Sequence, residues 1–202
     1  MTFFDVYSLI MLFTFFTLLV SKSWLTHKRE RTVIALGKGK KGVGATLEYF
    51  YYFGFVFLVY LVLISAFGWP FIGIGELIVL FDHIGFEIAG TVLQTLSIIL
   101  FSFALASFKD AWRIGVATQS TGQLITTGIF KYTRNPTYIA MSLLFFGFFL
   151  TYSNFFFLGS AVFLPLSFHY QIKQEERLLT TLFKEDYLTY CAQTPRYWHW
   201  MS

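Results

Sequence analysis

The sequence predicts an all-α integral membrane protein: a bundle of about five transmembrane helices with a C-terminal cytosolic amphipathic helix. Three observations carry that prediction. Of 202 residues, 56% are hydrophobic and only 13% charged, about half the charged fraction of a soluble domain. Phenylalanine supplies 27 residues, more than one core of this size could bury, so some must face an apolar solvent. The few charges fall between long apolar runs instead of being spread through them, and the mean hydropathy is +0.61. This composition excludes disorder, a nucleic-acid binder resting on bulk charge and, with Cys191 alone, a disulfide-stapled module. In such a chain a net charge of +4 reports topology before it reports an acidic partner.

The first span runs from about Phe3 to Val20. It lacks the positive leader and small-residue cleavage site of a signal peptide, since Asp5 precedes its apolar core, and is expected to be retained. The segment Ser21 to Ala45 carries Lys22, Lys28, Arg29, Arg31, Lys38, Lys40 and Lys41 against Glu30, which marks a cytosolic loop. A second span, about Leu47 to Phe67, stops at Gly68-Trp69-Pro70, and the loop beyond it holds Glu76, Asp82 and Glu87 without Lys or Arg. The segment Phe71 to Phe81 is too short to span and is expected along or dipping into the interface.

A third span, about Phe86 to Phe108, returns to Lys109 and Arg113. Two shorter runs, about Thr137 to Leu150 and Phe155 to Phe168, are separated by Thr151-Tyr152-Ser153-Asn154 and read as a helical hairpin. Leu178, Leu179, Leu182, Phe183 and Tyr187 then recur at helical spacing, so the fifth span continues or bends into an amphipathic cytosolic helix. Five spans place all 15 Lys and Arg on one side, with the N-terminus outside and the C-terminus cytosolic. No repeat or linker divides the chain, so a single membrane domain over 1–202 is expected, with three spans in 1–110 and the hairpin in 111–202.

Several local patterns have ordinary readings. Gly37-Lys38-Gly39-Lys40-Lys41-Gly42 has dinucleotide-fingerprint spacing but no βαβ unit around it, and reads as a basic loop near headgroups. Asp82, His83 and Glu87 lack a second His or Cys, so they read as a polar loop and helix start, and no metal site is expected. Cys191 has no assigned base and reads as a packing thiol. Tyr197, Trp198 and Trp200 look like interface anchors.

The informative regions are two. In the first, TGQLITTGIFKYTRNPTY from Thr121 to Tyr138, Gly128 permits a tight turn and Asn135-Pro136 is a helix-start pair, Asn as N-cap and Pro at the first helical position. The first turn, with Thr137 and Tyr138, offers backbone N–H groups to a carboxylate, with Arg134 beside it. In the second, Glu175 and Glu176 lie within about a turn of the membrane surface, and adjacent residues of a helix point about 100° apart. One can face a site while the other is solvated or pairs with Lys173 or Arg177. A carboxylate and a helix N-terminus are complementary to the two ends of an amino-acid-like group.

These residues resemble the isoprenylcysteine carboxyl methyltransferase and phospholipid methyltransferase superfamily of membrane enzymes. The resemblance spans roughly Ala111 to Arg196, through Leu124 to Phe130, Arg134-Asn135-Pro136-Thr137-Tyr138, and Glu175-Glu176 followed by Phe183, Tyr187, Tyr190 and Arg196. It implies S-adenosylmethionine enclosed on the cytosolic side by Gln123, Leu124, Ile125, Phe130, Asn135, Pro136, Thr137 and Tyr138, with Glu175 holding its amino group. Arg134, His169, Gln171, Glu176 and Arg196 are the candidates for substrate contact or support, and no catalytic residue is assigned. Two positions depart from the pattern. Asn135 stands where the family commonly has His, and Gln171 where the prenylcysteine branch has a carboxylate-binding arginine, which argues against carboxyl methylation of a prenylated protein.

The expected function is methyl transfer from S-adenosylmethionine to a small or lipophilic acceptor, with membrane lipid as partner, no nucleic acid, and a bacterial plasma membrane as location. A protonated amine acceptor must first lose a proton, a task for which His169 is the nearby histidine. Two other readings compete: an NADPH-dependent sterol-type reductase, similar around Phe183, Tyr187, Cys191 and Arg196, and a non-enzymatic membrane scaffold.

Overall fold

The computed structural model describes residues 1–30, 43–71, 77–108 and 124–198. The Gly37 to Gly42 run, Glu76, Lys109, Arg113, Gln123 and Trp200 lie outside the described residues. Helices α1 (Phe3–Glu30), α2 (Val43–Phe67) and α3 (Ile84–Ser107) are followed by a 3-10 turn (Gly128–Lys131), α4 (Pro136–Tyr152), α5 (Phe155–Phe183) and α6 (Glu185–Gln193). Among the described residues there is no strand, and Val79 and Asn154 form an isolated bridge.

Among the described residues, three segments are long and apolar enough to cross a membrane, Phe3–Thr26, Ile84–Ser107 and Phe155–Phe183, and two shorter apolar helices, Phe53–Phe67 and Pro136–Tyr152, pack among them. The chain is thus an all-α membrane bundle. A helix rises about 1.5 Å per residue, so about 20 residues of α5 fill a hydrocarbon core of about 30 Å and the rest protrudes. Counting from Phe155, that places Glu175 and Glu176 at the interface.

Local chemistry fixes the helix ends. Thr2 and Asp5 form a reciprocal cap on α1, the Asp5 N–H donating to Thr2 Oγ1 at 3.2 Å and the Asp5 carboxylate accepting from the Thr2 N–H. His83 caps α3, its Nδ1 accepting from the Gly85 N–H at 3.0 Å, which gives this residue a structural task. Asn154 turns the chain from α4 into α5 in two residues, its Oδ1 accepting from the Phe156 and Phe157 N–H groups at 3.0 and 3.2 Å. Beside that turn, the described end of the Phe71 to Phe81 segment is pinned by the Leu80 and Phe81 N–H groups, which donate to Ser153 O and Oγ.

Packing divides the phenylalanines into two populations. Phe15 stacks on Phe101 with ring centroids 4.5 Å apart, and Phe145 contacts Phe55 and Phe168, all within the buried core or packed against it. Phe13, Phe53, Phe103 and Phe163 instead lie on the outer surface, where lipid is the natural solvent. Between α3 and α4, Gly90 and Gly147 let the backbones approach so closely that a Cβ on either would meet the other's carbonyl oxygen. The fully buried Gln94 ties α1, α3 and α4 together, donating to Ser8 Oγ and Thr151 Oγ1 at 3.1 Å each.

The contacts also fix which helix ends lie together. One end gathers the start of α1, the start of α3 and the α4–α5 turn, with Asp5, Asp82 and Glu87. The other gathers the end of α3, the 3-10 turn, the start of α4, the end of α5, α6 and the C-terminal segment, with Lys131, Arg134, Lys173, Arg177, Lys184 and Arg196. Lys28, over the Trp24 ring at 5.4 Å, lies at the far end of α1 from Asp5.

Candidate functional site

The basic end is built outward from the 3-10 turn. Gly128 takes a left-handed conformation, φ 66°, and a Cβ there would collide with Ser107 Oγ, so glycine is required twice over. That closeness lets the Ile129 N–H donate to Ser107 Oγ, fastening the turn to the end of α3. Phe130 is buried, its ring edge-on to Phe108 with centroids 4.9 Å apart, and its carbonyl accepts from Tyr190 Oη at 2.7 Å. It thereby fastens α6 to the turn. Leu124 and Ile125 precede this element and are half-buried.

Pro136 opens α4, as the sequence predicts, but Asn135 caps by position only. Its side chain makes no bond to the helix; Nδ2 donates instead to the Arg196 carbonyl at 3.0 Å. Thr133 Oγ1 donates to that same carbonyl at 3.2 Å, and the Arg134 N–H donates to Pro195 O at 3.0 Å. Three consecutive residues before α4 therefore grip the C-terminal segment as a strap.

The adjacent carboxylates of α5 diverge, as helical geometry requires. Glu175 turns toward α4, where Tyr138 Oη donates to its Oε1 at 2.6 Å and Gln171 Nε2, one turn earlier, lies 3.4 Å from the same atom. Tyr138 also packs on Phe168, ring centroids 5.4 Å apart, and Gln171 and Ile172 are buried alongside. The first turn of α4, with Thr137 and Tyr138, and the Glu175 carboxylate thus form one site with an apolar floor.

Glu176 turns the other way. The sequence leaves it to solvent, Lys173 or Arg177; the structure joins it to Arg134 and Arg196. Arg196 Nε and Nη2 donate to its two oxygens at 2.7 to 3.1 Å, and Arg134 Nη1 lies 3.1 Å from Oε1. The hydrogen bonds to Glu176 hold the Arg196 pKa above its ordinary value. Arg134 Nη1 also donates to Cys191 Sγ at 2.6 Å, which makes that thiol a packing partner of a guanidinium. Arg134, expected beside the α4 N-terminus as a ligand group, is thereby committed to a structural ion cluster joining α4, α5, α6 and the strap. Tyr187 and Tyr190 close the cluster from α6, and burial pushes both hydroxyls well above the ordinary phenol range.

His169 and Tyr197 form the last element. His169 Nδ1 and Tyr197 Oη are 2.5 Å apart, with the rings stacked. Sequence reasoning places Tyr197 at the interface as an anchor; here it is half-buried against α5, while Trp198 keeps the exposed position. Nothing local in the sequence signals this pairing across 28 positions.

Glu175, Gln171 and Tyr138 thus meet at one face of α5, with Pro136 and Thr137 preceding Tyr138 in the first turn of α4, and Glu176, Arg134, Arg196, Asn135 and His169 are tied to the strap or to one another on the other. The family model described as phospholipid methyltransferase matches residues 86–186 of the chain, half its length. The match takes in α3, which the motif resemblance leaves out. A search of curated proteins returns no match.

Proposed function

Because the chain belongs to the phospholipid methyltransferase family of membrane methyltransferases, we propose that it moves a methyl group from S-adenosylmethionine to a small or lipophilic acceptor. The reaction is assigned to the basic end of the bundle, on the cytosolic side, with the N-terminus outside. The observation that carries this reading is the 2.6 Å contact between Tyr138 Oη and Glu175, which ties a carboxylate of α5 to a side chain from the first turn of α4.

The donor set suits the group. A carboxylate accepts from an ammonium, and the first turn of a helix accepts a carboxylate. When bound, the cofactor supplies a methyl already activated on a sulfonium. The chain's own residues then have three tasks. Glu175 receives the ammonium, with its rotamer held by Tyr138 and Gln171. The start of α4 receives the carboxylate through backbone N–H groups, and Arg134, held by Glu176 and Cys191, supports that segment from behind. Phe168 and Ile172 line the site with apolar surface that excludes water. Buried Gln171 adds no positive charge, which disfavours a carboxylate acceptor.

Calorimetry with S-adenosylhomocysteine, the demethylated product, tests the reading on purified protein in detergent. The wild type binds. Glu175→Gln loses a charge-assisted hydrogen bond of about 1.5–3 kcal/mol, a roughly 10- to 150-fold weaker affinity. No binding by folded wild type overturns the proposal, and equal binding by the mutant removes the role of Glu175.

A further inference from the structure

The stripe of α5 that runs past Leu166, Tyr170 and Lys173 is exposed, and His169 sits at its edge, half-buried. Residues at positions i, i+3, i+4 and i+7 share one helix face, so an acceptor arriving through lipid along this stripe reaches His169 directly. Glu175 lies six residues further along, about 9 Å of rise and about 120° around the helix. The lipid-side and donor-side faces of α5 are therefore distinct, and the strap meets α5 at His169 through Tyr197 and at Glu176 through Arg196.

We propose that His169 takes the proton that an amine acceptor sheds before methylation, and that Tyr197 is its positioning residue. The inference rests on the methyl-transfer reading above and adds the acceptor side of the same site. Tyr197 Oη lies 2.5 Å from Nδ1; the mechanism uses the Nδ1–H tautomer, in which Tyr197 Oη accepts and the Nε2 lone pair is left for substrate. A protonated amine passes its proton to Nε2. The amine lone pair then forms the N–C bond as the C–S bond breaks, and the sulfur keeps the pair as a thioether. The imidazolium, its Nδ1–H still bonded to Tyr197, returns the proton to interfacial water. The charges facing the ring are Lys173 and Glu176 of α5 and Arg196 of the strap, with Tyr197 the neutral group in contact.

The test uses wild type, His169→Gln and Tyr197→Phe in mixed micelles. Dodecylamine, which must lose a proton, is compared with dodecanoate, which need not. The wild type methylates dodecylamine with a rate that rises through one ionisation as pH increases. His169→Gln lowers that rate by about 10²- to 10⁴-fold and abolishes the inflection. Tyr197→Phe displaces the inflection, which a merely structural contact would not do. S-adenosylhomocysteine affinity stays at the wild-type value in both variants, so its loss in wild type would indict the donor site alone.

A readout independent of turnover is 15N-histidine NMR. Dodecylamine shifts one Nε2 resonance that His169→Gln lacks, and dodecyltrimethylammonium, with no proton to give, leaves it unmoved. Unchanged dodecylamine turnover in His169→Gln, preference of the wild type for dodecanoate, or an Nε2 signal indifferent to the amine overturns the proposal.

Discussion

Replacing Glu176 by Gln removes one negative charge and keeps the shape, which isolates the electrostatic part of the cluster. The carboxylate receives three short contacts from Arg196 and one from Arg134, and the side chains concerned are 13%, 34% and 12% exposed for Glu176, Arg196 and Arg134. Removing one partner of a fully buried pair costs about 3–5 kcal/mol. A solvent-exposed pair is worth about 0–1 kcal/mol. With Arg134 nearly enclosed and Arg196 one-third exposed, the loss falls between these limits, at about 2–3 kcal/mol.

For a chain of this size such a loss lowers Tm by roughly 4–12 °C, read by thermal unfolding of the purified protein in detergent. Arg196→Met alone is destabilising as well, and in the double variant the two losses do not add, because both delete the same interaction. A midpoint within a degree of wild type for Glu176→Gln, or strict additivity with Arg196→Met, refutes the account of the cluster as the clasp between α5 and the strap.

Other perturbations test the scaffold. Asn154→Ala removes the acceptor for two N–H groups at the start of α5 and costs about 1 kcal/mol, measured by thermal unfolding. Gly147→Ala drives a methyl into Gln94 and the Gly90 carbonyl, and is expected to cost about 1–3 kcal/mol in the same assay. Tyr190→Phe deletes the bond to the Phe130 carbonyl at about 1 kcal/mol, with S-adenosylhomocysteine affinity falling less than in Glu175→Gln.

The parts of this molecule legible in its sequence are those set by neighbours in the chain. Apolar runs gave the helices, Asn135-Pro136 gave the start of α4, and the 100° step gave the divergence of Glu175 and Glu176. Helix lengths were partly legible: the leucine spacing indicates that α5 runs on through Phe183, whereas α1 continues past Val20 to Glu30 because a helix started in lipid extends readily through good helix formers such as Lys, Glu, Arg and Leu. The strap was not legible at all. The bond from Asn135 to the Arg196 carbonyl, the bond from Arg134 to Cys191 and the contact between His169 and Tyr197 each join residues 28 to 61 positions apart, and such partners are chosen by the packing of α4, α5 and α6 together.

The most direct test of methyl transfer supplies S-adenosylmethionine, labelled on its methyl group, to vesicles containing the protein and follows the label into the lipid-extractable fraction. Wild type transfers label there, and Glu175→Gln, at the same protein level, transfers it at least tenfold more slowly at subsaturating donor. Folded wild type that leaves all the label on the donor, or a Glu175→Gln variant that transfers it at the wild-type rate, contradicts the account.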